Sequence, residues 1–179
     1  MAQLDRILRQ YAAVRIRKTW KTPSKWFEEI IKLLLADTFV RNAFNEEVER
    51  FVFRYRTGGG KPDILIPVRE GEKKATVWVI DTKHWEKDFY KALGSGKEKP
   101  TKYIAYVDKK NPKSRPLRKL IKLLRKSGIE KVSLHLVFIQ RASGYHEPNI
   151  PELAKHYHKV IIIGLDKLLQ ILKQAAIVR

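Results

Sequence analysis

The stretch KPDILIPVREGEKKATVWVIDTK, residues 61–83, decides the fold. Two apolar, β-branched runs, Ile64 to Val68 and Ala75 to Ile80, flank the polar residues Arg69, Glu70, Gly71, Glu72 and Lys73. Short runs of this composition on either side of a glycine-containing turn predict an antiparallel hairpin, and their near-continuous apolarity predicts central strands. With the turn centred near Gly71 and Glu72, Asp63 at the start of one strand faces Ile80 or Asp81 at the end of the other. Side chains alternate along a strand, so Asp81 and Lys83 project to one side while Thr82 turns away and offers its carbonyl.

Upstream of the hairpin, Thr22 reads as an N-cap with Pro23 at the first helical position. Phe27, Ile30, Ile31, Leu34 and Leu35 form one stripe, predicting a helix from about Pro23 to Val40. Leu4, Ile7, Leu8 and Tyr11 predict a basic amphipathic helix from Leu4 to Val14. Residues 50–56 alternate Phe51, Phe53 and Tyr55 with Arg50, Arg54 and Arg56, which reads as a half-buried strand ended by Gly58, Gly59 and Gly60.

Downstream, the pattern predicts a short helical stretch from Trp85 to Leu93, a strand at Tyr103 to Val107 and a basic helix from Arg115 to Ser127. Strands at Val132 to Ile139 and Val160 to Ile163 and a helix at Leu165 to Lys173 complete the chain. The early order is then helix, strand, strand, strand, helix, strand. No repeat or linker divides the chain. The expectation is one α/β domain with helices packed around a central mixed sheet, comprising an N-terminal helix (1–22), a core (23–107) and a C-terminal part (108–179).

Composition restricts the function. The 179 residues, 44% hydrophobic, suffice for one domain with a core. Lys and Arg number 38 against 19 Asp and Glu, a formal charge of +19 that exceeds what solubility requires and implies a polyanionic partner. No apolar run is long enough to span a bilayer and the first residues lack a signal core, so a cytoplasmic, nucleoid-associated protein with no membrane partner is expected. The absence of cysteine excludes disulfides, thiolate metal sites and cysteine nucleophiles. Few thermolabile residues beside abundant Lys and Glu suit a thermophile. Neither Gly60-Lys61-Pro62 nor Gly96-Lys97-Glu98 completes a phosphate-binding P-loop.

Two carboxylates, one ammonium and a carbonyl at a single strand end supply what phosphodiester hydrolysis needs. Hard oxygens hold Mg²⁺ or Mn²⁺, and a cation orients water or stabilises developing charge. Pro62-Asp63 followed by Asp81-Thr82-Lys83 resembles the PD-(D/E)XK nuclease superfamily, which includes many restriction enzymes and the archaeal Holliday junction resolvases. The resemblance covers roughly residues 25–107. It implies a restriction endonuclease-like fold, with Asp63, Asp81 and Thr82 on the metal and Lys83 as the catalytic cation. Family members also place a Glu on the helix before the core, here Glu28 or, in reserve, Glu29. A homodimer is implied too, because cutting two strands calls for two sites. The bland alternative makes Asp63 a turn residue and Asp81 and Lys83 solvated charges.

Arg54, Arg56, Gly59, Lys61, His84, Arg118 and Lys122 are candidate nucleic-acid contacts, each also readable as part of a charged face or an ordinary turn. Trp85 either lines the site or packs. His156 and His158 would share a strand face, with poor spacing for zinc. The expected function is a metal-dependent DNA endonuclease with a lean towards branched substrates. The competing readings are a non-catalytic basic DNA-binding protein and, more weakly, an RNA-associated protein of the translation machinery.

Overall fold

The computed structural model describes residues 23–56, 58–83 and 89–177; the helix expected from Leu4 to Val14, and His84 and Trp85, lie outside them. Helix α1 spans Pro23–Phe39 and α2 spans Glu46–Arg54. Strands β1 (Ile64–Arg69) and β2 (Lys74–Lys83) follow, then α3 (Phe89–Gly94), α4 (Thr101–Ile104), a 3-10 turn at Pro112–Ser114 and α5 (Arg115–Lys126). Next come β3 (Lys131–Gln140), β4 (Tyr145–His146), α6 (Pro151–Ala154), β5 (Lys159–Gly164) and α7 (Leu165–Ile177). The architecture is α/β: a five-stranded open mixed sheet in the order β1-β2-β3-β5-β4, flanked by helices.

The hairpin forms as its sequence predicts, with Ile64 opposite Ile80 and Arg69 opposite Ala75. Pro67 is tolerated in β1 because this is an edge strand, where a missing N–H breaks no second ladder. Strand β2 pairs in parallel with β3, setting Asp81 beside Phe138 and Lys83 beside Gln140. Its Val77, Val79 and Ile80 are fully buried, as a strand covered on both faces requires.

Two expected strands are helices instead. Residues 46–54 coil because the Asn45 side chain accepts from the Val48 N–H at 3.0 Å, and Glu46, Glu47 and Glu49 complement the helix dipole in its first turn. Val48 and Val52, one turn apart, are the residues buried on α2. The alternation of Phe51, Phe53 and Tyr55 is therefore incidental. Residues 103–107 form the end of α4 and a turn, with Tyr103 and Tyr106, three apart, both pointing into the core. The early order is thus helix, helix, strand, strand, helix.

Lys32, 3% exposed, bridges the two long N-terminal elements. Its ammonium donates to the carbonyls of Phe53 and Tyr55, both at 3.3 Å, and pairs with Glu29 at 3.2 Å. This satisfies carbonyls left over at the end of α2 and ties α1 to it. Near the far end of the sheet, the backbone of 142–144 crosses Gly164 so closely that an added Cβ would lie 2.3 Å from the Ala142 oxygen. Gly164→Ala should therefore cost about 1–3 kcal/mol through overpacking. The check is a thermal melt; an unchanged midpoint would show that the crossing yields freely.

Candidate active site at the end of the hairpin

The register that pairs Ile64 with Ile80 carries Asp63 to the end of β2. The Asp63 N–H donates to the Ile80 carbonyl at 3.0 Å, and its carboxylate accepts from the Thr82 N–H at 2.7 Å and hydroxyl at 3.1 Å. Because the N–H and C=O of one strand residue point to the same neighbour, the Thr82 carbonyl also faces β1, beyond the last ladder pair. The Tyr55 hydroxyl donates to the Pro62 carbonyl at 2.6 Å and anchors the approach to Asp63 from α2.

Asp81 and Lys83 share one side of β2 and are both nearly inaccessible, with side chains 5% and 6% exposed. Their ion pair is 3.0 Å long. The Lys83 ammonium sits over the Phe89 ring at 5.0 Å and the Tyr103 ring at 5.7 Å, with Glu98 at 4.0 Å. The second Asp81 oxygen accepts from the Tyr106 hydroxyl at 3.0 Å and meets Lys102 at 3.5 Å. A buried ion pair is poor evidence of stabilisation, since desolvation offsets most of its attraction. A carboxylate so deeply placed and ringed by two ammonium groups and a phenol is an arrangement that solvated strand-end charges do not adopt.

Glu28 belongs to the same electrostatic group. Burial, then the charges of Asp63 and Asp81, push its carboxyl up to about 7, and burial with Asp81 pushes Asp63 up to about 6, against the lowering bonds from Thr82. Glu29 instead spends its carboxylate on Lys32 and on Arg56, each at 3.2 Å. Of the two adjacent acids, Glu28 is the one whose carboxyl is raised by the charges at the hairpin end. Three carboxylates in mutual repulsion form a site that a hard divalent cation would relieve. Their oxygens, with the Thr82 carbonyl, are donors of the type Mg²⁺ and Mn²⁺ take. Among the described residues no three His, Cys, Asp or Glu side chains are already arranged to hold an ion. In this conformation Asp63 is turned onto Thr82, and Asp81 onto Lys83, Tyr106 and Lys102.

No family model, curated protein or solved structure matches this chain. Its chemistry rests on the residues themselves. Lys102, Tyr106, Glu98 and Gln140 escaped the sequence reading. Gln140, fully buried, accepts from the Phe89 N–H at 2.8 Å and so holds α3 against Lys83. Read as a strand, residues 103–107 put Tyr103 and Tyr106, three apart, on opposite faces. The three-residue spacing of Tyr103 and Tyr106 was the available signal.

The expected nucleic-acid contacts are scattered. Arg54 is exposed at the end of α2, and Arg56 pairs with Glu29. Gly59 is exposed with φ +61, and Lys61 follows it, half-buried. Beside them Gly60 lies under the Lys113 side chain, whose Nζ is 3.1 Å from where a Cβ would be. Arg118 and Lys122 are exposed on α5. His156 and His158 occupy the turn before β5 rather than a strand, and His158 stacks on His135 with ring centroids 5.6 Å apart.

Proposed function

We propose that this chain is a metal-dependent endodeoxyribonuclease of the PD-(D/E)XK type on a restriction endonuclease-like fold, acting as a homodimer. The observation that carries the reading is the meeting of Asp63, Asp81 and Lys83 at one strand end, with the near-neutral Glu28 carboxyl beside them. The net charge of +19 favours a nucleic-acid substrate. Asp63, Asp81 and the Thr82 carbonyl would hold Mg²⁺ or Mn²⁺, with Glu28 in support. An ion held there would supply Lewis-acid polarisation of the scissile phosphate and a water of lowered pKa. Lys83, held over two aromatic rings, orients the attacking water and offsets charge building on the phosphate. Glu28, whose carboxyl stands at about 7 without a cation, would gain its charge as the metal binds and support it. Tyr106 keeps Asp81 in place, and Lys102, partly exposed, presents a second cation towards the substrate.

The deciding experiment incubates the full chain with labelled linear duplex, single-stranded and four-way-junction DNA, in Mg²⁺, Mn²⁺ or EDTA. Cutting only with metal is expected, and the preferred substrate sets the subclass. Binding without cutting under every metal condition would make the protein a non-catalytic DNA binder.

The shifted carboxyls add a stability prediction. Glu28 and Asp63 hold their protons more tightly folded than unfolded, so their contribution to metal-free stability is fully present below the ordinary carboxylate range near 4. It is lost as pH rises through about 6 to 7. A divalent cation binds the ionised form and reverses that loss. At roughly 100 times its Kd it should raise the melting temperature by about 5–10 °C at pH 8 and by much less at pH 5. A cation shift that is absent or independent of pH would remove these carboxylates from the metal site.

A further inference from the structure

Away from the hairpin end, a groove of about 480 Å³ runs between α2 and α5. Glu47, Arg50, Phe51 and Arg54 line it from one face of α2, at positions i, i+3, i+4 and i+7, and Lys119 and Leu123 face them from α5. The floor is aromatic: Phe51 stacks on Tyr55 with centroids 5.9 Å apart and planes at 27°, and the Lys119 ammonium hangs 5.9 Å from the Phe51 ring. The rim is cationic. Arg54 and Lys119 are exposed and form no ion pair with another described residue, whereas the one acid, Glu47, is engaged at the far end by Lys126 at 3.5 Å.

The groove has a direction. Tyr55 is both its inner wall and the residue whose hydroxyl holds the Pro62 carbonyl, one residue before Asp63. Lys113, just before α5, lies on Gly60 and continues the basic edge towards the same place. A chain of phosphates laid along Arg54, Lys119 and Lys113 is thus led to the hairpin end.

We propose that the α2–α5 groove binds a single-stranded DNA segment flanking the cleavage position, with an unpaired base stacked on Phe51 and its phosphates on Arg54 and Lys119. The volume suits one nucleotide unit. A half-buried ring that lines a groove and is framed by cations suits a base with its flanking phosphates, since every base has a π-face and every linkage a negative charge. This rests on the proposed nuclease reading only for where the strand leads, not for the binding itself.

The test measures fluorescence anisotropy of the full chain, in EDTA so that no cutting intervenes, with a blunt duplex and with the same duplex bearing a single-stranded thymidine tail. The variants are Phe51→Leu, Arg54→Ala with Lys119→Ala, and, as a charge control on α7, Lys167→Ala with Lys173→Ala. The wild type should bind the tailed DNA more tightly. Phe51→Leu should weaken tailed binding about fivefold or more while leaving the blunt duplex unchanged. The Arg54/Lys119 double variant should lower the salt slope for tailed DNA by about 1.4, the loss of two single-strand phosphate contacts. Both substituted cations are exposed, so that variant keeps its fold even where Phe51→Leu does not. Equal weakening of both DNAs, or wild-type tailed binding by the double variant, overturns the groove assignment. Because no metal is present, these outcomes are independent of whether the protein cuts.

Discussion

Asp81→Asn is expected to reduce cleavage by about 10³-fold or more while leaving DNA binding intact or tighter. The carboxamide has the shape of the carboxylate and can still accept from the Tyr106 hydroxyl, so packing among Tyr103, Tyr106 and Phe138 survives. What disappears is the charge that would hold a hard cation, and removal of one such participant costs a transition state on the order of 10²–10³-fold or more. Loss of a negative charge near the phosphate favours binding. The buried Lys83 ammonium loses its 3.0 Å partner, with a stability cost of about 1.5–3 kcal/mol, the range for a hydrogen bond to a charged group. Asp81→Ala would add a cavity and confuse the two effects. Single-turnover cleavage and anisotropy on the same preparation separate them, and an Asn variant cutting within tenfold of wild type would end the metal-ligand role for Asp81.

Lys83→Met is the complementary case. The thioether side chain keeps the length of Lys and its contact with the Phe89 and Tyr103 rings, and removes only the ammonium. Cleavage should fall about 10²–10³-fold because the cation facing the reacting phosphate is gone. Stability should change little, since the desolvation cost of a buried ammonium vanishes with its ion pair and Asp81 retains Tyr106 and Lys102. The Mn²⁺-induced rise in melting temperature should persist. If it vanished instead, Lys83 would be needed to shape the carboxylate site, and its assigned part in the chemistry would be wrong.

The hairpin, its register and the convergence of Asp63 with Asp81 and Lys83 were legible in residues 61–83. They depend on period-two alternation and a short polar turn, both local properties. Helices α1, α5 and α7 were legible for the same reason. Residues 46–54 were not, because a window opened at Arg50 shows alternation, whereas one opened at Asn45 shows a cap, three first-turn acids and a Val48–Val52 stripe. The misreading hid the groove as well, since only a helix brings Glu47, Arg50, Phe51 and Arg54 onto one face.

Sequence alone determined that the chain carries a large positive charge, no thiol chemistry and an acidic-basic motif closing an apolar strand. It preferred Glu28 to the adjacent Glu29 only through the family resemblance. Tertiary structure gives them different surroundings: Lys32 and Arg56 engage Glu29, while Glu28 meets the field of Asp63 and Asp81. It likewise brought Lys102 and Tyr106 onto Asp81 from a segment with no motif of its own. The physical reason is range. Helix and strand periodicity is set between residues a few positions apart, but burial and Coulomb interactions act through space and belong to whichever segments the packed fold brings together.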